Sequence, residues 1–96
     1  MTDTELFKIV KGHREEWPRD VIQGQWPNGE LNFNVWGAPF PYAEYAMEAS
    51  FHRALLERGD VYTAFVNPTY HVQIADHDFT GGSLIEAYAA ALEWLK

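Results

Sequence analysis

Two groups of acidic and imidazole side chains in this chain have spacings that can support chemistry. Asp76, His77 and Asp78 precede Gly81-Gly82, and Glu44, Glu48 and His52 follow one another at intervals of four. The first group imitates a calcium loop, with aspartates at positions one and three, Thr80 at five and Gly81 at six. It fails at position twelve, where Ala87 stands in place of a bidentate glutamate and Glu86 falls one residue short. A phosphate cradle is no better served. Gly81-Gly82 ahead of a helix offers free N–H groups, but the lysine of a P-loop is missing and two aspartates would repel the anion. A structural joint accounts for the stretch: the aspartates end a strand, the glycines turn the chain and Ser83 caps a helix. The second group can hold a transition metal if another element adds a donor, His77 being the obvious one. A surface pairing of Glu48 with His52 is the plainer reading. There is no cysteine and no serine in an elbow motif, so the expectation is a non-enzymatic protein with no cofactor.

Charge says more. The formal net charge is −7, and it is unevenly spread. The first twenty residues are nearly balanced, whereas Glu30, Glu44, Glu48, Glu57, Asp60, Asp76, Asp78, Glu86 and Glu93 face only Arg53 and Arg58 over residues 30–93. Such a field repels phosphate backbones and attracts basic surfaces, so direct nucleic-acid binding is disfavoured. The bland alternative is that the acids keep a small domain in solution.

Ninety-six residues, 47% of them hydrophobic and 16% aromatic, make one compact domain over 1–96, burying roughly two thirds of its unfolded surface. No apolar run approaches the roughly 20 residues of a membrane span. Met1-Thr2-Asp3-Thr4-Glu5 has neither the basic start nor the apolar run of a signal peptide, so the expected location is cytoplasmic, in a bacterial host.

Those groups must be positioned by helices and hairpins. Thr2 and Glu5 form a capping box for a helix over about 3–15, which ends before Trp17-Pro18. The stretch DVIQGQWPNGELNFNVWG reads as a hairpin with a two-residue Asn28-Gly29 loop. That register pairs Trp26 with Leu31, Gly24 with Phe33 and Ile22 with Val35, all on one apolar side. Residues 42–58 form a helix stopped by Gly59, with Ala43, Met47, Phe51, Ala54 and Leu55 on one face. In VYTAFVNPTYHVQIA, a three-residue loop Asn67-Pro68-Thr69 pairs Tyr62 with Ile74, and the far side carries Thr63, Phe65, His71 and Gln73. Ser83 with Glu86 opens the last helix. The order α-ββα-ββα predicts an α+β fold, a four-stranded antiparallel sheet packed with helices on its apolar face.

The second hairpin-helix unit, YTAFVNPTYHVQIADHDFTGGSLIEAYAAALEWLK, resembles the C-terminal part of small phage and prophage proteins described as ABA-sandwich domains. Those end in a strand pair, a Gly/Thr-containing loop and a helix opened by an apolar pair such as Leu84-Ile85. In size, acidity and lack of catalytic motifs the chain also resembles, in type, phage-encoded inhibitors of host defence, anti-CRISPR proteins among them. The expectation is therefore an acidic protein-binding inhibitor that blocks a basic, nucleic-acid-handling surface of a host defence protein, such as a CRISPR-Cas complex. Glu44, Glu48, Glu57, Asp60, Asp76 and Asp78 would supply the charge, and Trp36, Tyr45 and Trp94 the anchors. Two other classes stay open. One is a metal-binding module or metal-dependent enzyme using Glu44, Glu48, His52 and His77. The other is a structural homodimer joined through Trp94 and the alanines beside it, Ala87 and Ala90.

Overall fold

The computed structural model describes residues 1–35 and 43–96. Helix α1 (Asp3–Val10) starts at the expected capping box: Thr2 Oγ1 accepts from the Glu5 N–H, and Glu5 Oε2 accepts from the Thr2 N–H, each at 3.2 Å. It is shorter than expected. The Trp17 indole N–H donates to the Val10 carbonyl at 2.9 Å, taking the acceptor that a continued α-helix would use. The chain tightens instead into a 3₁₀ stretch, Lys11–Glu16, broken at His13, whose φ/ψ of −127°/38° turns its ring into the core.

Strands β1 (Val21–Gln25) and β2 (Leu31–Val35) pair antiparallel, one residue out of the expected register. Gln25 faces Leu31, Gln23 faces Phe33 and Val21 faces Val35. Pro27 is the cause. A two-residue Asn28-Gly29 loop needs the N–H of residue 27, and proline has none. Trp26 donates instead to the Glu30 carbonyl at 2.7 Å, which makes a three-residue loop. Within it the Gly29 N–H meets the Trp26 carbonyl at 2.9 Å, Asn28 Oδ1 accepts from the Glu30 N–H at 3.0 Å, and Gly29 takes φ +91°. A turn closed by a left-handed glycine is the common three-residue solution. The slip turns Val21 inward, on the side where Phe33 is buried as expected, and leaves Ile22 52% and Trp26 57% exposed.

Helix α2 (Ala43–Leu56) buries Ala43, Met47, Phe51 and Leu55, one residue per turn, as its stripe predicts. After Gly59, β3 (Val61–Val66) and β4 (Thr69–Ile74) also pair one residue out of the expected register. The loop is two residues, Asn67-Pro68, joined by a cis peptide, and Tyr62 faces Gln73. Thr63 and Phe65 accordingly lie on the helix side, not on the far side with His71 and Gln73.

A fifth strand stands where a joint was expected. Ala75 and Asp76, both at positive φ (50° and 66°), make a two-residue turn, and β5 (His77–Gly81) runs back along β4 with His77 facing Ile74. Asp76 therefore sits in a turn and Asp78 in the strand that continues the sheet; they do not end it. Strand order is β3-β4-β5 in this sheet, separate from the β1-β2 pair. The fold is α+β, but its strands form a two-stranded and a three-stranded sheet, not one sheet of four. Ser83 and Glu86 do form the capping box that opens α3 (Leu84–Leu95). A Cβ on Gly81 would stand 2.9 Å from the Ala87 nitrogen and 2.7 Å from the Glu86 Cβ, so only glycine lets β5 run this close to the helix start.

Helix α3 lies at the centre. Ile85, Ala87, Tyr88, Ala89, Ala91 and Leu92 are buried, with β4 and β5 on one side and α2 and α1 on others. Leu6, Val10, Val21, Phe33, Phe51, Val72 and Ile74 join it in one core cluster. No helix among the described residues is long and apolar enough to cross a membrane.

The register of the first hairpin is directly testable. Ile22→Lys should leave the melting temperature nearly unchanged, within about 0.5 kcal/mol of stability, because the side chain faces water. Val21→Lys should unfold the chain or cost about 3 kcal/mol or more by burying a charge, as read by thermal melts.

Candidate functional site

The starts of all three helices meet around one hollow. Met1 comes from just before α1 and Glu5 from its first turn, Glu44, Tyr45 and Glu48 from α2, Ser83 from the cap of α3, and Leu84 and Glu86 from its first turn, with Tyr70 of β4 as a wall. A second hollow adjoins it through Met1, Glu44 and Tyr45 and adds Asp3, Trp26, Glu30 and Leu31. No lysine or arginine lines either one among the described residues. Glu5 and Glu86 are held as capping acceptors and Asp3 Oδ2 accepts from the Phe33 N–H at 2.9 Å, so three of the acids also serve the fold.

Glu48 is the chemically unusual member. Partial burial, and then the neighbouring Glu44 carboxylate, push its pKa up to about 7. Tyr88, beside it on α3, is raised to about 12, first by burial and then by Glu48. It thus keeps its proton, and its hydroxyl lies 2.8 Å from His52 Nδ1.

The other expected residues fall elsewhere. Asp60, Asp76 and Asp78 come together at one end of the three-stranded sheet, around a hollow shared with Tyr62, Gln73 and His77. Trp94 reaches the same end, with its ring 4.3 Å from His77 and 5.6 Å from Phe79. Glu57 stands apart in a mixed-charge hollow with Arg53, Arg58, Glu15 and Lys96. Trp36 lies outside the described residues. The expected set is thus two acidic patches and one outlier.

The metal donors do not converge. His52 meets Tyr88, His77 meets Trp94, His71 Nδ1 lies 3.0 Å from Asp78 Oδ2, and His13 Nδ1 lies 3.0 Å from the Lys96 ammonium. Among the described residues no three histidine, aspartate or glutamate side chains are grouped to hold a metal ion. Of the seam expected on α3, Ala87 is fully buried within its own chain, Ala90 is half-buried, and Trp94 leans on Phe79 of β5 while staying 44% exposed. His13, four residues after Ile9 and seven after Leu6, is a structural histidine, buried where the 3₁₀ stretch turns. Burial and then the Lys96 charge lower its pKa, against Glu16 and Glu93. Its ring stacks edge-on against Phe51 at 5.8 Å.

The raised Glu48 fixes a pH dependence. Between about pH 4.5 and 7 the folded chain holds a proton that the unfolded chain releases, so this residue makes stability fall as pH rises through that window. Glu48→Gln should therefore melt higher than the parent at pH 8, by on the order of 1 kcal/mol, and equal it near pH 4.5. His13 works in the opposite sense: what it contributes is present above the ordinary histidine pKa and is lost as pH falls through the lowered one.

Compared with known proteins, the chain matches no family model, no curated sequence and no solved structure.

Proposed function

We propose that this protein is a non-enzymatic, acidic binding module that occupies a basic surface of another protein through the hollow where its helices start. One observation carries the reading: Glu5, Glu30, Glu44, Glu48 and Glu86 surround Tyr45 and Trp26, 64% and 57% exposed, with no lysine or arginine among them. Exposed rings amid one sign of charge provide the two components of an interface, anchors that lose water and a field that steers the approach. Proteins that handle nucleic acid present basic surfaces of the kind such a module would fit. An inhibitor of the anti-CRISPR kind, seated on the nucleic-acid path of a host defence complex in a bacterial cytoplasm, is the sharpest form of this reading. Asp60, Asp76, Asp78 and Trp94 supply a second patch for the same partner.

Affinity capture from a bacterial lysate tests it. The native chain should retain a protein with a basic nucleic-acid-binding surface and release it between roughly 50 and 300 mM salt, because the attraction is screened. Glu44→Lys combined with Tyr45→Ala should weaken capture about tenfold at low salt with an unchanged circular dichroism spectrum. Capture indifferent to both salt and these substitutions would end the proposal.

A further inference from the structure

Among the described residues β3 is the edge of its sheet, and its residues Val61-Tyr62-Thr63-Ala64-Phe65-Val66 pair with β4 without interruption. They include no charge and no proline. Soluble proteins blunt such edges with lysine, proline, a bulge or a covering segment. Here the side chains stay open on both faces. Tyr62 (65%) and Val66 (63%) lie on the face away from the helices, and Phe65 (56%) on the helix side is scarcely less exposed. A strand of this kind can accept another strand: backbone bonds supply affinity, and alternate side chains supply fit.

We propose that β3 receives an extended segment of the partner protein as an antiparallel fourth strand, with a lysine or arginine at that segment's C-terminal end seated beside Asp60. Charge selects the occupant. The strand itself is neutral, but the end that an antiparallel segment's C-terminus would reach carries Asp60, with Asp76 and Asp78 on the turn and strand beyond it. Asp60 lies within reach of a cation on the added strand, and the other two strengthen the field at that end. A second copy of this chain fits less well. Paired antiparallel, it would set residues near Val66, Asn67 and Pro68 against Asp60, none of them cationic, and would bring together two chains of net charge −7. The inference rests on the basic-partner reading above and uses a different surface from the hollow at the helix starts.

The probe is the peptide acetyl-Thr-Val-Thr-Val-Thr-Val-Lys-Lys-amide, titrated into the isotope-labelled full chain and followed by amide NMR shifts. Shifts should concentrate on Asp60 to Val66. The counterpart ending in Glu-Glu should bind about tenfold more weakly, and a version N-methylated at every valine and threonine should not bind. Glu44→Lys with Tyr45→Ala should bind the peptide within about twofold of the parent. Peptide binding without lysate capture would thus remove the hollow and keep β3; capture without peptide binding would do the reverse. Absence of shifts along β3, or equal affinity for the Lys-Lys and Glu-Glu peptides, would overturn the proposal. So would light scattering at about twice 11.0 kDa that Phe65→Lys returns to a single mass, since the occupant would then be a second copy.

Discussion

The last helix is apolar on nearly every side, and a helix of that kind must be covered on every side. That requirement organises the molecule. β4 and β5 supply one wall through Val72, Ile74 and Phe79, α2 supplies another through its four-residue stripe, and α1 closes a third. The alanines at 87, 89 and 91 let these walls come close, and Gly81 lets the strand leading into the helix lie against its first turn. Only Glu86, Glu93, Trp94 and Lys96 remain exposed at this end of the chain. With all walls committed to one helix, no described element covers the edge of β3.

Much of the fold was legible from local rules. Both capping boxes, the α2 stripe and the α+β class follow from residues three or four apart, where the physics is short-ranged. The registers were not, because each depends on the number of residues in a loop. Pro27 could not donate an N–H, and that single missing hydrogen moved Ile22 and Trp26 from the expected core to the surface. Asn67-Pro68 took a two-residue loop and moved Phe65 to the helix side. β5 escaped notice because its only strongly apolar residue is Phe79 and its turn, Ala75-Asp76, contains no glycine or asparagine to announce positive φ. Missing that strand hid the His71–Asp78 pair and the meeting of Asp60 with Asp76 and Asp78. The acids themselves were visible in the sequence. Their partition into two patches depends on strand order, which composition does not encode.

The four histidines show how local context assigns one residue type to different tasks. His13 is buried and neutral, and it receives the Lys96 ammonium, which also donates to the Gly12 carbonyl at 3.0 Å. This contact links the end of α3 to the 3₁₀ stretch more than eighty residues earlier. His52 bonds with the Tyr88 hydroxyl, His71 pairs with Asp78 on the open sheet face, and His77 lies against Trp94. Each ring has a structural companion.

The meeting of three helix starts also explains how so many like charges can share one place. Each helix brings the positive end of its backbone dipole to that hollow. Glu5, Glu44 and Glu86 occupy the first turns, so part of their mutual repulsion is offset by the main chain itself. Glu48, one turn further along α2, is partly buried beside Glu44, and its proton affinity rises for those two reasons in that order. The geometry of the bundle thereby gathers carboxylates at one surface and sets one of them, Glu48, a turn deeper, where burial favours its protonated form.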